Sequence, residues 1–124
     1  MTMSERKHHL AAWVAEPPGS DRPVIIMEGT LAHPTAASVE GLLMNLWTKA
    51  GNQGVVDLTD LDIDDSEGTV ALFDLLRARH SAGLPLTLIG APQMLCHNLY
   101  RAGMLDGANA VRLIDMRQDE PFLG

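Results

Sequence analysis

Apolar positions along this chain fall into short β-branched runs, and these alternate with longer stretches in which apolar residues recur every three to four positions. Strands alternating with amphipathic helices are the expected result. "HHLAAWVAE", residues 8–16, reads as a short strand carrying Trp13 and Val14. "PPGSDRP" supplies turn formers, and "VIIMEGTL" is a second strand, so the two are expected to pair as a hairpin with a long loop. "HPTAASVEGLLMNLWTKAG" predicts a helix that starts at Pro34 or Thr35 and stops at a left-handed Gly51. Val39, Leu42, Leu43, Leu46 and Trp47 form its buried stripe. Gly41 lies inside that helix, where glycine costs about 1 kcal/mol relative to alanine, and is expected to mark a close approach to a neighbouring element.

"GVVDLTDL" is the third strand, and an extended loop leads from it to a helix over "SEGTVALFDLLRARHSAG". Val70, Leu72, Phe73 and Leu76 are expected to face inward. Arg77, Arg79 and His80 sit at the end where cations suit the helix dipole, and Gly83 stops the helix. "LPLTLIG" is almost wholly apolar, as in a strand covered by helices. "PQMLCHNLYRAG" predicts a third helix with Met94, Leu95, Leu99 and Ala102 inward and Gly103 at its end, and "NAVRLIDM" is the last strand. The expected fold is a single α/β domain over residues 1–124, with loosely ordered tails at 1–7 and 117–124. Its sheet is mixed and mostly parallel, with an antiparallel N-terminal hairpin strand and about three packing helices.

Composition narrows the partners. The 124 residues are 46% hydrophobic, which suits one globular core. A formal net charge of −7 argues against a nucleic-acid grip and against an anionic membrane surface. The single cysteine, Cys96, cannot form an internal disulfide, so a reducing compartment fits best. No apolar run reaches the length of a signal core or of a membrane span. A cytoplasmic protein without direct membrane insertion is therefore expected.

The chemistry concentrates in "DLTDLDIDDSEG", which holds Asp57, Asp60, Asp62, Asp64, Asp65 and Glu67 around Ser66. Asp60, Asp62 and Asp64 have the spacing that opens a calcium loop. Asp65 and Ala71, however, stand where that loop needs glycine and a bidentate glutamate. A phospho-aspartate receiver would need an acidic pair after its first strand and a lysine after its last. Only Glu28 follows "VIIM", and the lysines are Lys7 and Lys49. Ser66 lacks the flanking glycines of a nucleophile elbow, and no histidines have zinc-ligand spacing. No metal, no cofactor and no catalytic residue is expected. Asp65 or Ser66 should cap the second helix. A phosphoryl group on Ser66 would meet the first-turn amides and add about two negative charges beside Asp62, Asp64, Asp65 and Glu67. A solvated loop with an unmodified cap is the plain alternative.

These residues resemble the STAS domains, the anti-sigma-factor antagonists and their relatives. "VVDLTDLDIDDSEGTVALFDLLRARHSAG" aligns without a gap to the family segment that runs from a central strand through "DLs" to "DSSG". Asp57-Leu58-Thr59 matches the first motif, and Asp65-Ser66-Glu67-Gly68 the second. "RPVIIMEGTL" and "LPLTLIGAPQMLCHNLYRAGML" extend the likeness from about Val24 to Leu113. The resemblance implies a non-enzymatic, bacterial signalling switch in transcription regulation. The unphosphorylated protein would bind a serine kinase that doubles as an anti-sigma factor, or meet a phosphatase, and phosphorylation of Ser66 would break the complex. Asp62, Asp64, Asp65, Ser66, Glu67, Gly68 and Thr69 would form the docking loop and helix, with Gly68 as the turn residue and Asp57 as a structural motif residue. The departures are Asp64 before the motif, Glu67 for its second serine and Thr69-Val70 after it. They leave open a constitutive adaptor that braces the ATPase subunit of an ABC lipid transporter. A small-ligand or metal-binding protein using the acidic loop is the third possibility.

Overall fold

The computed structural model describes residues 9–16, 22–50 and 54–117. Five strands and three helices follow the expected order: β1 (Leu10–Ala15), β2 (Val24–Leu31), α1 (His33–Lys49), β3 (Val55–Ile63), α2 (Ser66–Ser81), β4 (Thr87–Ile89), α3 (Gln93–Arg101) and β5 (Arg112–Ile114). The strands lie in the order β1-β2-β3-β4-β5, with β1 antiparallel to β2 and every other pair parallel. This is the mixed α/β architecture read from the sequence. Of the expected tails at 1–7 and 117–124, all but Arg117 lies outside the described residues, as do Gly51 and most of the "PPGSDRP" loop.

One face of the sheet carries the core. Side chains alternate along a strand, and Ile25, Met27, Val56, Leu58 and Leu88 all point to the side where the helices lie. They are sealed there by Val39, Leu43 and Trp47 of α1, Leu72 and Leu76 of α2, and Leu95 and Leu99 of α3. The opposite alternation places Trp13, Ile26, Asp57, Ile89 and Ile114 in one cross-strand row. Trp13 and Ile114 are exposed there, so Trp13 covers an edge and takes no part in the core.

β3 is longer than its apolar run suggested, reaching Ile63, so Asp62 sits within it and only Asp64 and Asp65 remain as loop. A register shift between Ile26 and Glu28 inserts one extra residue into β3. At that bulge the Asp57 carboxylate accepts a hydrogen bond from the Thr59 amide at 2.9 Å, satisfying a donor that the disrupted ladder would strand. Beyond the end of β4, Arg117 takes over the free edge: its guanidinium donates to the Leu61 carbonyl at 2.7 Å and to the Thr59 carbonyl at 3.4 Å. Arg117, expected in a loose tail, is thus anchored.

Three helix expectations change. Gly41 has nothing within 4 Å of where a Cβ would stand, so it marks no close approach. On α2 the inward line is Gly68, Leu72, Leu76 and Arg79, with Phe73 half-buried and Val70 exposed. On α3 it is Leu95, Cys96 and Leu99, while Met94 and Ala102 face solvent. In both helices the observed stripe is displaced from the expected one because packing against a neighbouring helix, absent from a periodicity count, sets which residues are buried.

Candidate functional site

The junction between β3 and α2 is built around one carboxylate. Helix α1 begins after Ala32, a residue with no side chain able to cap it. Asp65 supplies the missing acceptor from across the fold: its Oδ2 accepts from the His33 amide at 2.9 Å. Its Oδ1 accepts from the Gly68 amide, also at 2.9 Å, which caps α2. One side chain therefore serves the positive ends of two helices. The two amides hold the Asp65 carboxyl below its ordinary pKa, the Gly68 bond contributing most.

Gly68 lies in the first turn of α2 and is buried. A Cβ there would stand 2.5 Å from the Leu31 carbonyl oxygen, so the helix start and the end of β2 approach as closely as glycine permits. Asp64 extends the parallel ladder by donating its amide to that same carbonyl at 3.0 Å. Thr69 turns its hydroxyl back onto the Asp65 carbonyl at 3.2 Å. Asp65 and Gly68 thus fix the backbone, and Ser66 and Glu67 between them are exposed.

Ser66 is the first residue of α2, with Asp65 as the cap. It lines two grooves. A groove of about 440 Å³ lies toward α3, between Asp64, Asp65 and Ser66 on one lip and Val70, Met94 and Leu95 along its floor. A more open one lies toward α1, bordered by His33, Ala37 and Glu67. Asp62 does not join this cluster. It lies within β3 opposite Thr30, and the alternation that buries Leu61 turns it to the other face of the sheet. Asp57 likewise lies in the strand, at the bulge. Among the described residues no three His, Cys, Asp or Glu side chains converge to hold a metal ion. No helix among them is long and apolar enough to cross a membrane.

Glu67, which departs from the serine of the family motif, has a partner here that no local pattern reveals. Its Oε1 lies 2.8 Å from His33 Nδ1. That contact raises the His33 pKa above 6.5, through the hydrogen bond first and the charge of Glu67 second. The raised pKa makes the pairing strongest where the imidazole is protonated. Its contribution to stability is complete below pH 6.5 and is lost as pH rises through the folded His33 value. Asp65 has the opposite sign: its contribution holds above 3.8 and is lost as pH falls through its depressed value. Proton NMR titration should place the His33 midpoint above 6.5, and Glu67→Gln should return it toward 6.5. A midpoint unmoved by Glu67→Gln would refute the pairing in solution.

Two features escaped the sequence. Arg79, placed by its position near a helix C-terminus, is only 6% exposed, and its guanidinium lies 4.8 Å from the centre of the Trp47 ring. The bridging role of Asp65 needs His33, 32 residues away. The alanine before "HP", a helix start without a cap, is the only signal that could have raised the question.

No protein-family model matches the chain, and no curated protein matches it. Among solved structures it is similar to an uncharacterized protein of the DUF3478 family with a SpoIIAA-like fold, from Shewanella loihica PV-4. The identity is 17%, the match covers 91% of this chain and 89% of that one, and the TM-score is 0.46.

Proposed function

We propose that this chain is a non-enzymatic, regulatory protein-interaction domain of the STAS type. Its β3–α2 junction docks a serine kinase that doubles as an anti-sigma factor, or a phosphatase, and phosphorylation of Ser66 switches the docking. The observation that carries this reading is the division of labour in Asp65-Ser66-Glu67-Gly68. The outer two residues hold backbone, while Ser66 stands exposed at a helix start on the shared lip of two grooves. A phosphate there would bring about two negative charges to the lip. It would face the first-turn amides of α2 but also the carboxylates of Asp64, Asp65 and Glu67, so its effect is to reshape the docking surface by charge and bulk.

Intact-mass analysis of the protein made in its native host is expected to show a phosphorylated fraction that disappears in Ser66→Ala. Labelling that survives the substitution would sink the proposal. A second reading rests on the His33–Glu67 contact, which holds the Glu67 side chain in place beside Ser66. That favours a constitutive adaptor, such as the accessory subunit bracing the ATPase of an ABC lipid transporter. Co-purification with a transporter ATPase, unchanged by Ser66→Ala, would select it.

A further inference from the structure

We infer that the groove between α2 and α3 receives a cationic amphipathic segment of the partner, its apolar side chains on the floor and its lysines or arginines against the acidic lip. This rests on the docking function proposed above and names the chemistry of the ligand. The floor is apolar and open. Val70 is 54% exposed and Met94 59% exposed, on adjacent helices and lining the same groove. Leu95 and Ile63 continue the surface beneath them. A cavity of about 440 Å³ has room for one or two apolar side chains, and methionine adapts its shape to whatever enters.

The lip decides the sign of the partner. Asp64, Asp65 and Ser66 line it, and no lysine or arginine lines the groove. Asp65 is engaged by two backbone amides, so Asp64, exposed beside it, is the carboxylate left to meet an incoming charge. A wholly apolar partner would strip water from Asp64 and return nothing. An acidic partner would be repelled, and a second copy of this chain, at net charge −7, brings the same sign. A basic helix with one apolar face satisfies both floor and lip.

The test uses the full chain and a fluorescently labelled peptide of leucine and lysine whose leucines line one helical face, read by anisotropy at physiological ionic strength. Saturable binding is expected. Val70→Glu should weaken it about tenfold or more, since the apolar contact of a valine is lost, and Met94→Glu should do the same. Both substitutions make the protein more acidic, so attraction by net charge alone would tighten binding. Asp64→Asn should weaken binding several-fold and flatten its salt dependence. Circular dichroism of each variant checks that these exposed positions leave the fold intact.

Equal or tighter binding by Val70→Glu, equal binding of a scrambled peptide of the same composition, or no binding at all would overturn the inference. Concentration-dependent dimerisation lost in Val70→Glu would assign the groove to a second copy and overturn it too. The phosphate at Ser66 is read independently by mass. Its absence leaves the peptide result standing, and failure of the peptide leaves the phosphate result standing.

Discussion

Replacing Gly68 by alanine is expected to destabilise the domain by about 2 kcal/mol, the typical scale for forcing extra volume into a close-packed contact. The new Cβ would lie 2.5 Å from the Leu31 oxygen, 2.9 Å from the Leu31 carbon and 3.2 Å from the Ala32 nitrogen. All three are backbone atoms, fixed between the end of β2 and the start of α1, so no side chain can swing aside. Either α2 or the β2–α1 corner must shift, and both are tied to Asp65 through the Gly68 and His33 amides. Alanine returns up to about 1 kcal/mol of helix propensity, which is already counted in the net figure. Thermal unfolding should fall by roughly 4 °C for each kcal/mol in a domain of this length. The control is the same substitution in α1: Gly41 is exposed and has nothing within 4 Å of a Cβ. Gly41→Ala should therefore stabilise by up to about 1 kcal/mol through propensity alone. Opposite signs at two helical glycines are the expected result, and a Gly68→Ala protein that melts at or above the parent temperature would show that α2 does not abut β2 this closely.

That contrast shows where the sequence was legible. Elements were readable because β-branched runs such as "VIIM" and helical stripes such as Val39, Leu43, Leu46 and Trp47 carry their own periodicity. The antiparallel first pair and the parallel pairing of the later strands followed from the hairpin and the crossover connections, whereas the order of the strands in the sheet comes from the structure. What failed was anything set by a second element. The close approach expected at Gly41 occurs instead at Gly68, read only as a turn residue, and it is the position of Leu31 that separates the two. Val70 and Met94 fit helical stripes as well as their neighbours do, but α2 and α3 turn them outward. At the site, the cap on α2 was local enough to predict, narrowed to Asp65 or Ser66. The reach of Asp65 to α1, and the hold of His33 on Glu67, join residues more than thirty positions apart. The end of β3 was misjudged for the same reason: Asp62 and Ile63 are held in the sheet by pairing with Thr30 and Leu31 of β2.

Arg79 gives the second large effect, at the far end of the helix that begins with Ser66. Arg79→Ala is expected to destabilise by about 2–3 kcal/mol, from lost packing of the buried stem, the face-on contact with Trp47 and the charged hydrogen bond. Its Nε donates to the Pro85 carbonyl at 2.8 Å, and its guanidinium lies within 3 Å of where a Cβ on Gly54 would stand, the contact being 2.9 Å. One side chain thus joins α2 to α1, through Trp47, and to the segments that precede β3 and β4. Burial also works against it, pulling the Arg79 pKa below the ordinary arginine value. The two tendencies are separated by Arg79→Met, which keeps the stem's volume and removes both the charge and its desolvation. If packing dominates, the methionine variant should lie within about 1 kcal/mol of the parent. If the cation over the indole dominates, it should fall close to alanine. A double-mutant cycle of Arg79→Met with Trp47→Phe isolates the ring contact as their coupling energy. Because Gly68 clamps α2 at its start and Arg79 at its end, both substitutions loosen the helix that presents Ser66 and Val70. Each should therefore lower partner affinity as well as melting temperature, whereas Val70→Glu should lower affinity alone. An Arg79→Ala protein as stable as the parent would mean that the core of the two-helix layer, Leu43 and Leu46 against Leu72 and Leu76, holds α2 in place without this anchor.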